Sequence, residues 1–254
     1  FRGKEIVRAV LADLEGLEDA RQFLLTGGSA GGMATIANAD WVMDLVREAA
    51  PKAKFLSMPD SGFFLDVQPG AMCQHPETYE CLCAAGADSR RPDGFNVEDG
   101  HAWLGRGQTL AQQMQALITY TGGSPDASCA AHFGRWGAWR CYLGQYAGPH
   151  MAAPTLLLQN QIDEWQGFWN GFFDYATDAD AFEYMGWFRR ESARTLAAAS
   201  DGGKELYVFA PNCYHHGLAY DDIFWTVTVG EWTAASMMAA IFEGAPPPRF
   251  VLDD

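Results

Sequence analysis

Basic residues are scarce: 17 Lys and Arg stand against 32 Asp and Glu, for a net charge of -15. A surface of that sign repels phosphate backbones and anionic headgroups, so neither nucleic acid nor a membrane surface is an expected partner. Charged residues of both signs make up only 19% of the chain and hydrophobic ones 48%, a balance that disfavours disorder. Long apolar runs are missing as well. The stretch from Trp232 to Phe242 falls well short of the ~20 residues that a membrane span needs. No repeat, low-complexity tract or linker interrupts the 254 residues, so one domain over 1–254 is expected.

The six cysteines, at positions 73, 81, 83, 129, 141 and 213, contain no C-x-x-C pair. No His stands at zinc-finger spacing, so a structural metal is not expected. Disulfides made in an oxidising compartment are the better reading, with Cys129 and Cys141, which bracket a short aromatic loop, as the first candidate pair.

What is present alternates between helix and strand. Ile6, Val7, Val10, Leu11 and Leu14 share one face of a helix over residues 4–18. Residues 22–26 predict a short buried strand, and 32–49 a helix stopped by Pro51. A second strand is expected at 53–57, then a loop-rich segment over 58–102 and a helix around Leu110–Ile118 closed by Gly122 and Gly123. Further strands are expected at 155–159 and 205–210, and helices near 180–199 and 230–243, the last before Pro246–Pro248. Strands separated by helices predict an α/β fold, a mostly parallel sheet with helices on both faces.

Between the first strand and its helix lies Gly27-Gly28-Ser29-Ala30-Gly31, which matches G-x-S-x-G in the strand–turn–helix setting the motif requires. A sharp turn of this kind forces the serine into strained geometry, so its neighbours must lack bulk. The hydroxyl then projects from the sheet's carboxyl edge, where the Ala30 N–H can donate to a developing oxyanion. A phosphate-cradling loop is the rival reading, but no Lys follows as a P-loop demands.

A serine needs a histidine to take its proton and an acid to orient that histidine. In the order Ser, acid, His, the loop after 155–159 offers Asp163 and Glu164, and the loop after 205–210 offers His215 and His216. Asp60 and Asp66, after the second strand, are the alternative acids. His75, His101, His132 and His150 precede the acid candidates and follow no clear strand.

Taken together these residues resemble the pectin acetylesterase/Notum family of carboxylesterases, whose fold is that of the α/β-hydrolases. Thr26-Gly-Gly-Ser-Ala-Gly-Gly32 resembles the family's G-x-S-A-G-G motif, Asp60-Ser-Gly-Phe-Phe-Leu-Asp66 its D-x-G-F-F-L-D stretch, and Gln161-Ile-Asp-Glu-Trp-Gln166 the segment carrying its acid. Asn212-Cys-Tyr-His-His216 resembles a C-x-x-H segment, and Phe1-Arg-Gly3 the region upstream of the nucleophile. The resemblance implies Ser29 as nucleophile, Asp163 as acid and His216 rather than His215 as base. It also implies secretion and disulfide bonding.

The family has early strands and a Gly-Gly-rich loop upstream, where the second oxyanion donor resides, and this chain starts at Phe1 after that region. It is therefore expected to be N-terminally truncated relative to the family. The strand at 22–26 is then left with an apolar open edge that another chain, or the rest of a longer one, would cover.

The expected function is removal of acyl groups, acetyl foremost, from an extracellular glycan such as pectin, with no cofactor. Trp165, two residues beyond the acid, and Phe63 are candidate substrate contacts. Trp169, Trp187, Phe168, Phe172 and Phe173 extend the aromatic cluster, and Arg90, Arg91, Arg106, Arg135 and Arg140 could make a locally basic groove. A Notum-like protein deacylase and a non-catalytic subunit on the same scaffold are the competing expectations.

Overall fold

The structure is a computed structural model that describes residues 2–67, 109–169, 179–202, 204–220 and 222–253. Cys73, Cys81 and Cys83, His75 and His101, Arg90, Arg91 and Arg106, and Phe172 and Phe173 lie outside the described residues. The strands β1 (Gln22–Gly28), β2 (Lys54–Asp60), β3 (Thr155–Leu158), β4 (Leu206–Ala210) and β5 (Phe250–Leu252) form one parallel sheet whose spatial order is also the chain order. Every strand therefore ends on the same edge of the sheet, and the loops that leave that edge carry the candidate site.

Side-chain alternation divides the core in two, as a strand's period of two requires. Phe55, Leu157 and Val208 face one way, onto α2 (Ala30–Ala49) through Ile36, Val42 and Val46 and onto α7 (Ala179–Gly202) through Tyr184, Phe188 and Leu196. Leu56, Met58, Leu156, Leu158 and Phe209 face the other way, onto Phe224 of α8 (Ile223–Thr226) and Met237 of α9 (Ala234–Glu243). Helices thus cover both faces. Burial of each large apolar side chain contributes ~1.5–3 kcal/mol.

The first helix, α1 (Gly3–Ala12), is shorter than its apolar period predicts and has no buried residue. Gly16, at φ 79, turns the chain into a single 3-10 turn at Leu17–Asp19. Ile6, Val10 and Leu14 stay exposed. The strand expected to be buried at 22–26 is an edge strand. Among the described residues it pairs only with β2, and its residues from Gln22 to Gly27 alternate between exposed and half-buried. The central strands β3 and β4 are buried along their whole lengths.

The remaining differences are local. The sequence between Cys129 and Cys141 is mostly helical, with α3 (Leu110–Thr121) before it and α4 (Ala127–Gly137), a 3-10 turn and α5 (Gly144–Ala147) making up the segment that leads to β3. Asp126 caps α4 by accepting from the Cys129 N–H, and Cys129 is bonded to Cys141. α9 ends on Gly244, at φ 82, ahead of the prolines, and the chain then re-enters the sheet as β5, a strand of three residues.

Candidate active site

The turn from β1 into α2 is as tight as its glycines imply. Ser29 sits at φ 57 and ψ -120, one of two non-glycine residues with positive φ among those described. Such a conformation costs on the order of 1–3 kcal/mol and persists only where the surroundings impose it. They do so by hydrogen bonds and close packing. The Ser29 N–H donates to the Asp60 carbonyl at 2.8 Å, and the Ser29 carbonyl accepts from the Met33 N–H at 3.0 Å. A Cβ on Gly27 would lie 2.6 Å from the Gly31 carbonyl oxygen, and one on Gly32 equally close to the Asp60 carbonyl oxygen. The Tyr220 hydroxyl lies over Gly28, where a Cβ would have to displace it. Ser29 is half-buried, and Ala30 is exposed at the first turn of α2, the positive end of a 20-residue helix.

Asp163 follows β3 and is 1% exposed. Its Oδ2 lies 2.8 Å from His216 Nδ1, and it also accepts from Gln159 Nε2 at 3.1 Å. Its Oδ1 accepts from the Gln166 N–H at 2.8 Å, which starts α6 (Glu164–Trp169). The loops after β3 and β4 run side by side through a parallel bridge between Ile162 and Tyr214, and Asn160 Nδ2 donates to the His215 carbonyl at 3.0 Å. This pairing sets the register that separates the two histidines. His216 turns inward to Asp163, whereas His215 Nδ1 lies 3.9 Å from Glu164 Oε2 near the surface.

Burial works against a charged His216 imidazole, but the hydrogen bond and charge of Asp163, with smaller contributions from Asp60 and Glu164, outweigh it. The His216 pKa lies above its ordinary value of 6.5 as a result. Its Nε2 is buried and has no hydrogen-bond partner among the described residues, Ser29 Oγ included. An imidazole held by one nitrogen on a buried carboxylate, with its other nitrogen unengaged, is equipped to accept a proton. Trp165 and Phe64 flank the ring, with centroids 6.2 and 6.3 Å from it.

The alternative acids are engaged elsewhere. Both oxygens of Asp60, 1% exposed, accept from backbone N–H groups of Leu218 and Ala219. Asp66 accepts from the Tyr146 hydroxyl at 2.7 Å, which together with burial pushes that phenol up to about 12. Phe63 is not a surface for substrate. It is 3% exposed, packs in the core, and lies where a Gly144 side chain would have to go. Arg140 stacks on Trp139 and Arg135 on Trp136, so both guanidinium groups are engaged with rings.

The amides that hold the acid were missing from the sequence reading. Gln159 Oε1 accepts from the Phe63 N–H while its Nε2 serves Asp163, and Gln166 bridges both backbone groups of Leu65. The signal for Gln159 was the run Gln159-Asn160-Gln161 directly after an apolar strand, where buried amides seek partners; Asn160 Oδ1 is the exception, with none among the described residues. Among the described residues, no three His, Cys, Asp or Glu side chains come together as a metal would require.

Comparison with known proteins supplies relatives. Mouse palmitoleoyl-protein carboxylesterase NOTUM is 28% identical over 169 residues, which is 65% of this chain and 28% of that protein. Drosophila melanogaster NOTUM is 27% identical over 227 residues, 87% of this chain and 27% of its own length. Pectin acetylesterase 5 of Arabidopsis thaliana is 41% identical over 70 residues, 26% of this chain and 16% of that protein. The chain spans less than a third of the length of these curated relatives. The sequence model of the pectinacetylesterase family matches residues 1–241, which takes in the serine turn, the Asp163 loop and the His216 loop alike. Over nearly its whole length, then, this chain belongs to the pectinacetylesterase family.

Proposed function

We propose that this chain carries the catalytic centre of a serine carboxylesterase acting on an acylated glycan or glycoconjugate, acetyl esters foremost. The observation that carries the reading is the buried His216–Asp163 pair, whose unengaged Nε2 belongs to the same strand-end edge as the strained Ser29. Ser29 Oγ attacks the acyl carbonyl as its proton passes to His216 Nε2. Asp163 holds the imidazole in the useful tautomer and stabilises the imidazolium. The Ala30 N–H donates to the oxyanion. His216 then gives its proton to the departing alcohol. Water, deprotonated by His216, cleaves the acyl-enzyme, releasing the free acid and restoring Ser29. Trp165, half-buried beside His216, lines the approach to the acyl group.

The base works only when neutral, so kcat/KM is expected to rise with pH through a midpoint above 6.5, where His216 titrates. The same raised pKa makes the charged imidazole a source of folding stability. That contribution is fully present below pH 6.5 and is lost as pH rises through the folded-state value.

A second substrate class has its own support: the NOTUM relatives, named for palmitoleoyl-protein esters, align over 65–87% of the chain, against 26% for the pectin acetylesterase. We also propose an oxidising, extracellular setting, supported by the Cys129–Cys141 bond, and a further stretch of polypeptide along the free edge of β1.

The test is a fluorophosphonate probe on the native protein, with the labelled peptide mapped by mass spectrometry and Ser29→Ala as control. Labelling confined to Ser29 is expected. A folded protein that stays unlabelled would leave the non-catalytic subunit as the better reading. Rates on acetyl and on long-chain esters, with both an acetylated glycan and an acylated peptide, separate the two substrate classes.

A further inference from the structure

Beyond the three residues of the proposed reaction, we infer that Asp60 is the positioning residue that holds the serine turn and the histidine loop in register. Three strand ends meet on this one residue. Its backbone carbonyl accepts the Ser29 N–H at 2.8 Å, fixing the turn that carries the nucleophile. Its carboxylate, buried at the end of β2, accepts the Leu218 N–H at 2.9 and 3.0 Å and the Ala219 N–H at 2.9 Å, fixing the chain just beyond His216. The neighbouring Ser61 completes the clamp. Its Oγ donates to Asp60 Oδ1 at 3.2 Å and accepts the Gly217 N–H at 2.8 Å, while its own N–H donates to the Leu158 carbonyl at 2.9 Å on β3. Ser61 is also the second described non-glycine residue with positive φ, at 48.

A buried carboxylate satisfied by backbone N–H groups is a rigid anchor, because any shift would leave buried donors unpaired. The consecutive N–H groups of residues 217, 218 and 219 all point at this Asp60–Ser61 corner, so the position of His216 follows from it. The Tyr220 ring, packed on Gly217 and Gly28, closes the same loop over the serine turn. Displacement of a reacting group by about 1 Å costs on the order of 10²-fold in rate. Asp60 does not need to touch substrate to matter at that scale.

The inference rests on the proposed esterase reading for its kinetic consequence but not for its geometry, and the experiment keeps the two apart. In the native full-length protein, His216 is followed by ¹⁵N NMR through a pH titration, alongside ester hydrolysis and thermal melting, for wild type, Asp60→Asn and Asp60→Glu. The charged groups facing His216 are Asp163 and Glu164 from the β3 loop and Asp60 from β2. Asp60→Asn is expected to lower the His216 midpoint, and to reduce kcat by about 10–100-fold with KM within about twofold. Asp60→Glu is expected to return the midpoint towards wild type. An Asp60→Asn protein that melts lower but keeps the wild-type midpoint and kcat overturns the inference. If Asp60→Asn does not fold, Ser61→Ala decides, since it removes one tie and leaves the carboxylate: altered His216 resonances support the clamp, and unaltered ones overturn it. A protein inert towards esters whose His216 still responds to Asp60→Asn would sink the esterase reading and leave the clamp standing.

Discussion

The two flanks of the sheet are built to different standards. On the β3–β4 side every strand residue is buried, both faces are covered by helices, and the acid is wrapped in satisfied amides. On the β1 side the strand has one neighbour among the described residues, Leu24 is 37% exposed, and Ile6 and Val10 of α1 and Leu14 just beyond it face outward. The candidate nucleophile hangs from the open flank, and the candidate acid and base hang from the closed one. The lesson is that the acid–base pair sits between covered strands, whereas the serine turn leans on β2 and on the Tyr220 loop from one side only.

Substitutions can sharpen or break that contrast. Ser29→Ala is expected to abolish ester hydrolysis, a loss on the order of 10⁶ in kcat, with little change in melting temperature. Asp163→Asn should reduce kcat by roughly 10⁴, because the imidazole then takes the wrong tautomer, and should also destabilise the closed flank. Leu157→Ala, in the middle of β3, is expected to cost about 2–5 kcal/mol in urea denaturation. Opening the Cys129–Cys141 bond, as a Ser pair, should cost about 3 kcal/mol, from the loop it closes. At the small end, Leu24→Ala on the free edge should stay within ~0.5 kcal/mol. A loss at Leu24 as large as that at Leu157 would mean that β1 is covered in the native protein, and the contrast between the flanks would collapse.

Much of the site was legible because it is written in short spacings. Gly27 and Gly32 are demanded by backbone that a Cβ would strike, though Gly31 is not, and the order of strands puts the two loops at one edge. The choice between His215 and His216 was open from topology alone. It is made by the Ile162–Tyr214 bridge, a contact between loops about fifty residues apart that no local pattern encodes. Phe63, within the Asp60–Asp66 stretch, was expected to contact substrate, yet its ring is packed in the core two residues after the positive-φ Ser61. The period of α1 correctly names an apolar face but cannot say what, if anything, lies opposite. Strand β5 was missed because three residues after three prolines carry too little pattern to announce a strand.

The match between spatial and chain order of the strands has a consequence for how the protein is made. Each strand that leaves the ribosome finds its sheet partner already synthesised, so the sheet can grow by addition at one edge without waiting for a distant segment. His216 follows the serine turn by about 190 residues. At 5–20 residues per second that is roughly 10–40 s. On the proposed reading, Ser29 spends that interval of synthesis without the base that would activate it, and gains it only with the loop after β4.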